Sequence, residues 1–183
     1  MSTSRKKVIV RRFTGGILAG YLPISSLVRE RTTLDLLDLT GRILSLPLDD
    51  VKLVSYVREF NLADTVNPER LSRRTFLSRP RSEGLWLRLT FRTGEILEGL
   101  APTDLTLLET ILTDAGLHLT PPDTRSNTQH IFVPHTAISE LQLLAVITSP
   151  SRRKPLTAPT PERLQKALQD ELFDGPIPSD RPN

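Results

Sequence analysis

Cysteine is absent from this 183-residue chain, which excludes disulfide scaffolds, thiolate catalysis and thiolate metal sites. Aromatic residues make up only 5%, so few rings are available for stacking nucleobases. The apolar runs are short. Leu143 to Ile147 is among the longest, against the roughly 20 residues a membrane-spanning helix needs. Near the start, Arg5-Lys6-Lys7 is basic, but only Val8-Ile9-Val10 stands before Arg11-Arg12, too little for the apolar region of a signal peptide. These absences favour a cytoplasmic protein. The three histidines, His118, His130 and His135, lack metal-ligand spacing, so no metal and no other cofactor is expected. There is no nucleophile elbow, phosphate-binding Walker loop or dinucleotide fingerprint, and no enzyme activity is expected.

The apolar share of 38% and the charged share of 25% are those of an ordinary globular protein. The length suffices for one substantial domain or two small ones. The net charge of +3 is mild but unevenly placed. Arg5, Lys6, Lys7, Arg11 and Arg12 crowd the first residues, with no acid among them. Arg70, Arg73, Arg74, Arg79 and Arg81 form a second cluster, and Arg152-Arg153-Lys154 a third. Such clusters either track phosphates or are solvated faces.

One stretch occurs twice. Thr14-Gly15-Gly16-Ile17-Leu18-Ala19-Gly20-Tyr21-Leu22-Pro23 is answered by Thr93-Gly94-Glu95-Ile96-Leu97-Glu98-Gly99-Leu100-Ala101-Pro102. Each reads as a hairpin turn on a glycine, then a returning strand with a second glycine inside it. A glycine within a strand marks a bulge, a bend or a close backbone approach. Around the first copy, alternation and turn residues predict strands at 6–12, 17–22, 32–39, 43–46 and 51–57. Around the second they predict strands at 85–91, 95–100, 116–120, 130–133 and 138–147, while 104–114 fits either strands or a helical turn. Five short strands with tight turns describe a small, strongly bent β-barrel. The expected fold is therefore all-β: two such barrels in tandem, with a short linker helix capped by Asn67 and Pro68 and a short C-terminal helix begun by Thr160-Pro161. The expected boundaries are 1–60 for the first barrel, 61–84 for an arginine-rich joint, 85–147 for the second barrel and 148–183 for a linker and helix.

The order of strands and glycines in both repeats resembles the Sm-like fold, including bacterial Hfq. In Hfq, a Tyr-Lys-His-Ala-Ile segment between the last two strands contacts RNA. This chain has Pro134-His135-Thr136-Ala137-Ile138 there, matching at Ala137 and Ile138 alone, and the first repeat has the acidic Pro47-Leu48-Asp49-Asp50-Val51. The stretches Phe76 to Arg81, Gly84 to Leu89 and Pro121 to Gln129 are similar to an uncharacterised bacterial family of paired repeats of this kind. That likeness implies two barrels with an arginine-rich joint and a long polar loop.

Two places are candidates for binding. At the joint, Arg73, Arg74, Arg79 and Arg81 either bind phosphates or carboxylates or pair with acids such as Glu83 and Glu98. In the 121–129 loop, Arg125, Asn127 and Gln129 offer donors, either for a ligand or for the neighbouring barrel. Leu164, Leu168 and Leu172 fall on one face of the expected C-terminal helix and would dock on a barrel or a partner. The expected function is a non-catalytic binding or scaffolding module that uses loops, barrel edges and this helix. Its partner is expected to be a protein, and oligomerisation through barrel edges is an option. The alternative is a Hfq-like regulator binding single-stranded RNA.

Overall fold

Val8, Ile9 and Val10 are consecutive, apolar and fully buried. A strand of that kind is covered on both faces, and both its edges need hydrogen-bonding partners. In the computed structural model, which describes residues 5–23, 32–103, 115–123 and 125–148, strand β1 (Arg5–Arg12) meets both demands. It lies between β2 (Ile17–Pro23) and β5 (Val51–Val57). Strands β3 (Thr33–Asp38) and β4 (Ile43–Pro47) follow β2, and a 3₁₀ turn at Leu48–Asp50 leads into β5. The second repeat supplies β6 (Gly84–Phe91), β7 (Ile96–Ala101), β8 (Gly116–Leu119) and β9 (Thr128–Pro134), then a 3₁₀ turn at His135–Ala137 and β10 (Ile138–Ile147). The described residues belong to the compact unit Met1–Thr148.

The protein is all-β, with two antiparallel sheets ordered β4-β3-β2-β1-β5-β9-β8 and β10-β6-β7. A bridge between Leu100 and Thr120 links β7 to β8, with reciprocal N–H···O bonds of 3.0 and 2.8 Å. Neither sheet closes on itself, and β4 and β10 are edge strands.

The repeat is visible in the strand registers. Val8 faces Gly20 as Leu87 faces Gly99. Val10 faces Val54 as Leu89 faces Leu141, and Val8 faces Tyr56 as Leu87 faces Leu143. Both β1–β5 and β6–β10 carry an irregularity at the same place, beside Arg12–Val51 and Phe91–Ile138. Leu34 faces Leu46 as Leu117 faces Val133, and Leu36 faces Leu44 as Leu119 faces Ile131. The glycines within the return strands mark a close approach. A Cβ on Gly20 would lie 2.4 Å from the Leu37 carbonyl oxygen, and one on Gly99 2.9 Å from Leu119 Cβ.

The repeats are joined by β5 and β9, which pair Val54 with Phe132, Ser55 with Ile131 and Tyr56 with His130. Their cores interlock there. Phe132 of β9 is buried among Val8, Val10, Leu22 and Val54 of the first repeat, and Leu53 of β5 among Leu89, Leu117 and Ile131 of the second.

The linker helix expected after Asn67 is not formed. Asn67 begins one turn: its Oδ1 accepts the Leu71 N–H at 3.1 Å, and its carbonyl accepts the Arg70 N–H at 2.9 Å. Arg70 then takes a φ of +49° and the turn goes no further. Contacts to the strands supply the reason. The Glu69 carbonyl accepts Thr128 Oγ1 and the Arg74 carbonyl accepts the Glu98 N–H. One or two helical turns cannot compete with such bonds, because helix nucleation is unfavourable. The expected C-terminal helix with Leu164, Leu168 and Leu172, the 104–114 stretch and the Arg152-Arg153-Lys154 cluster lie outside the described residues.

Candidate binding cleft at the arginine joint

A glutamate in a strand normally faces water. Glu98, in β7, is only 2% exposed. The β6–β7 hairpin sets Arg88 opposite it. Arg88 Nε and Nη2 donate to Glu98 Oε1 at 3.0 and 2.8 Å. The Trp86 indole N–H and the Phe76 backbone N–H donate to Oε2 at 3.1 and 3.0 Å. Burial pushes the Glu98 carboxyl up, but the Phe76, Arg88 and Trp86 donors outweigh it and hold the group below the ordinary carboxylate range. Phe76 packs edge-on against Trp86, with ring centroids 5.7 Å apart. The strand pair β6–β7 thus fixes the joint at Phe76.

Three further tethers hold the joint. Glu95, in the β6–β7 turn, accepts Lys52 Nζ of β5 at 2.6 Å and the Arg74 guanidinium. These two cations keep its carboxyl low. Arg11 of β1 donates to Glu69 at 2.5 Å and to the Val66 carbonyl at 2.6 Å. Ser72 Oγ donates to Asp123, whose carboxyl is lowered by that bond and then, against the effect of burial, by the Arg125 N–H and Arg73.

Beyond these anchors, the chain from Arg73 to Ser82 borders a cleft of about 340 Å³, with Leu100, Pro121 and Pro122 on the other wall. Arg73, Arg79 and Arg81 line it, and among the described residues no acidic residue does. Among the described residues, neither Arg79 nor Arg81 is in an ion pair. A hollow of about 650 Å³ is lined by Arg11, Arg12, Lys52 and Arg74 with Glu95. Its cations are already matched, Arg11 by Glu69, Arg12 by Asp50, and Lys52 and Arg74 by Glu95. The smaller cleft therefore has the unbalanced charge.

The structure brings together Arg73, Arg79 and Arg81 from the sequence-based set, and adds Pro121 and Pro122 from the loop. Arg74 turns to the other hollow and is held by Glu95. The acid Glu98 does serve the joint, but its arginine is Arg88. Asn127 is engaged on both sides of its amide: Nδ2 donates to the Glu59 carbonyl at 2.7 Å and Oδ1 accepts the Glu59 N–H at 3.0 Å. It prolongs the β5–β9 joint. Arg125 and Gln129 are exposed and do not line the cleft. Sequence reasoning missed Arg88 and Trp86 as partners of Glu98. The hairpin register around Gly94 was the signal, since it places Arg88 and Glu98 on the same rung.

His118 and His130 line another hollow of about 340 Å³ with Glu83. Burial, and then the charge of Lys6, lower the His130 pKa. Among the described residues, no group of three or more histidines and acids could hold a metal ion. No helix among them is long and apolar enough to cross a membrane.

The sequence matches none of the curated proteins and none of the solved structures with which it was compared. Residues 4–145, nearly the whole β body with its joint and cleft, match the family of unknown function DUF6982. The chain belongs to that family.

Proposed function

We propose that this protein is a cytoplasmic, non-catalytic binding module whose arginine cleft receives an acidic segment of a protein partner. The observation that carries the reading is a cleft with Arg73, Arg79 and Arg81 in its lining and no acid among the described residues that line it. Arginine forks suit carboxylates, and charge-assisted hydrogen bonds are the strong ones. The cleft is also lined by Leu77, Pro80, Leu100, Pro121 and Pro122. Those residues suit aliphatic side chains between the acids. In the same reading each repeat is a Sm-like unit. The orders β5-β1-β2-β3-β4 and β10-β6-β7-β8-β9, with matching registers, support it.

Single-stranded RNA is the second reading, favoured by the lack of ion pairs at Arg79 and Arg81 among the described residues. Phe76 weighs against it. That ring lies in the lining but packs edge-on against Trp86, which limits it as a platform for a base.

Fluorescence anisotropy tests both readings. The probes are a labelled peptide alternating Glu and Leu, and labelled A-rich and U-rich RNA. Micromolar peptide binding, abolished when Arg73, Arg79 and Arg81 become Ala, is the expected result. RNA binding tighter than peptide, with a steep fall in salt, replaces the first reading by the second. Failure of both probes at low salt overturns the cleft as a binding site.

A further inference from the structure

The arginine cleft adjoins a second hollow. Ser82 and Leu100 line the cleft, and they also line the hollow of about 340 Å³ that holds His118 and His130. The two have one floor. Leu100 of β7 and Thr120 after β8 exchange backbone hydrogen bonds. Thr120 lines the hollow, and the next residues, Pro121 and Pro122, line the cleft. The two also have one rim, because the joint borders the cleft up to Ser82 and the hollow from Ser82 to Glu83. We propose that cleft and hollow are two halves of one groove, and that the partner segment it receives sets its acids in the arginine half and a neighbouring large apolar side chain in the histidine half. This rests on the arginine cleft receiving carboxylates, and it names the other part of the ligand.

The halves differ in the chemistry they offer. The arginine half has a mostly polar wall, with three guanidinium groups and no acid among the described residues that line it. The histidine half has a mostly apolar wall, to which Leu100, Ala101, Pro102 and Leu119 contribute. Its two rings add to that character. His118 packs against Phe132, with ring centroids 4.9 Å apart. His130 is held below the ordinary histidine range by burial and then by the charge of Lys6, so it is neutral at neutral pH.

Charge assigns the two parts of the ligand to their places. Glu83 borders the histidine half, so a ligand carboxylate there would meet like charge, whereas Arg73, Arg79 and Arg81 attract it at the other end. An apolar side chain has the opposite preference. Among the arginines it would strip water from charged groups, but in the histidine half it displaces water that an apolar wall binds poorly. A run of acids next to a leucine or an aromatic residue satisfies both ends at once. A purely acidic segment fills only one of them.

Anisotropy of the full chain with three labelled peptides of equal length tests the proposal. One carries a run of glutamates among serines and glycines, the second adds Leu-Phe before the glutamates, and the third adds Leu-Phe after them. One of the two Leu-Phe peptides should bind about tenfold or more tighter than the acidic one, the scale of burying a large apolar side chain. Pro102 is exposed and lines the histidine half but not the cleft. Pro102→Glu should therefore remove that gain, read as the ratio of the two affinities in the same variant so that the effect of the new charge on the glutamates cancels. Arg79→Ala should weaken all three peptides. A second readout uses the unaltered chain and does not depend on how a variant folds. In proton NMR spectra the ring signals of His118 and His130 should move with the tighter peptide and hold their positions with the acidic one. Equal affinities for the three peptides, or a gain without movement of those ring signals, overturn the two-part groove and leave the arginine cleft standing. Failure of all three peptides to bind at low salt overturns the cleft itself, and this proposal with it.

Discussion

Glu98 shows how one buried charge can settle the placement of a whole segment. Its carboxylate takes four donors, from Phe76, Trp86 and twice from Arg88, so that ionised it is fully used. Glu98→Gln keeps the shape but sets an amide N–H₂ against some of those donors. The expected loss is about 2 kcal/mol or more, the scale of a buried hydrogen bond to a charged group, read from urea unfolding at neutral pH. The pH dependence has a definite sign. A carboxyl held low in the folded state stabilises it fully above the unfolded value of about 4.3. That contribution disappears as pH falls through the lowered native pKa. The glutamine variant should therefore lose less stability than the unaltered chain between pH 5 and the acid transition. Identical acid limbs would show that the carboxylate is not acting as described. At this scale the sequence is partly transparent. A turn at Asn67 can be read from Asn-Pro and is present, though the helix expected to follow it is not, and Arg88 facing Glu98 could have been read from the hairpin turn. The left-handed Arg70 and the pairing of Arg74 with Glu95 cannot, because they depend on where β1, β5 and β7 lie in space.

Among the elements, the return strands β2 and β7 are the ones shaped by a single residue type. Gly20 approaches the Leu37 carbonyl so closely that a methyl group cannot enter without moving backbone. Gly20→Ala should cost about 1–3 kcal/mol, as overpacking does, measured by thermal unfolding. A neutral effect would mean that β2 and β3 lie further apart than described. The glycine pattern was legible in the sequence as a turn followed by a bulge, a bend or a close approach, and of these three the structure shows the close approach. The edge status of β10 was not. Leu141, Leu143 and Val146 are apolar yet exposed, because an apolar strand face is buried only where something covers it. The polar loop before β9 was open to two readings, and the residues divide between them. Asn127 clamps Glu59, while Pro121 and Pro122 line the cleft. Asn127→Ala should accordingly lower stability by about 1–2 kcal/mol and leave peptide binding unchanged. Arg79→Ala should weaken binding several-fold at unchanged stability. The reverse pattern in paired unfolding and anisotropy measurements would exchange their roles.

Across the whole molecule, the doubled unit was plain from the recurring Thr-Gly and Gly-Pro signals, but its mode of joining was not. Local pattern predicts strands and hairpins; it does not say whether the fifth strand of a repeat pairs with its own fourth strand or with that of its neighbour. Here β5 takes β9. That choice interlocks the two cores and leaves β4 and β10 as unlike edges. Lys52 of β5 and Thr128 of β9 also hold the arginine joint, through Glu95 and Glu69. The β5–β9 ladder is thus the contact on which the joint and the interlocked cores both depend. It is tested most directly by nuclear Overhauser contacts between backbone protons in solution. Contacts linking Ser55 to Ile131 and Val54 to Phe132 are the expected result. Contacts linking β5 to β4 of the same chain instead, as in two self-contained barrels, would contradict it.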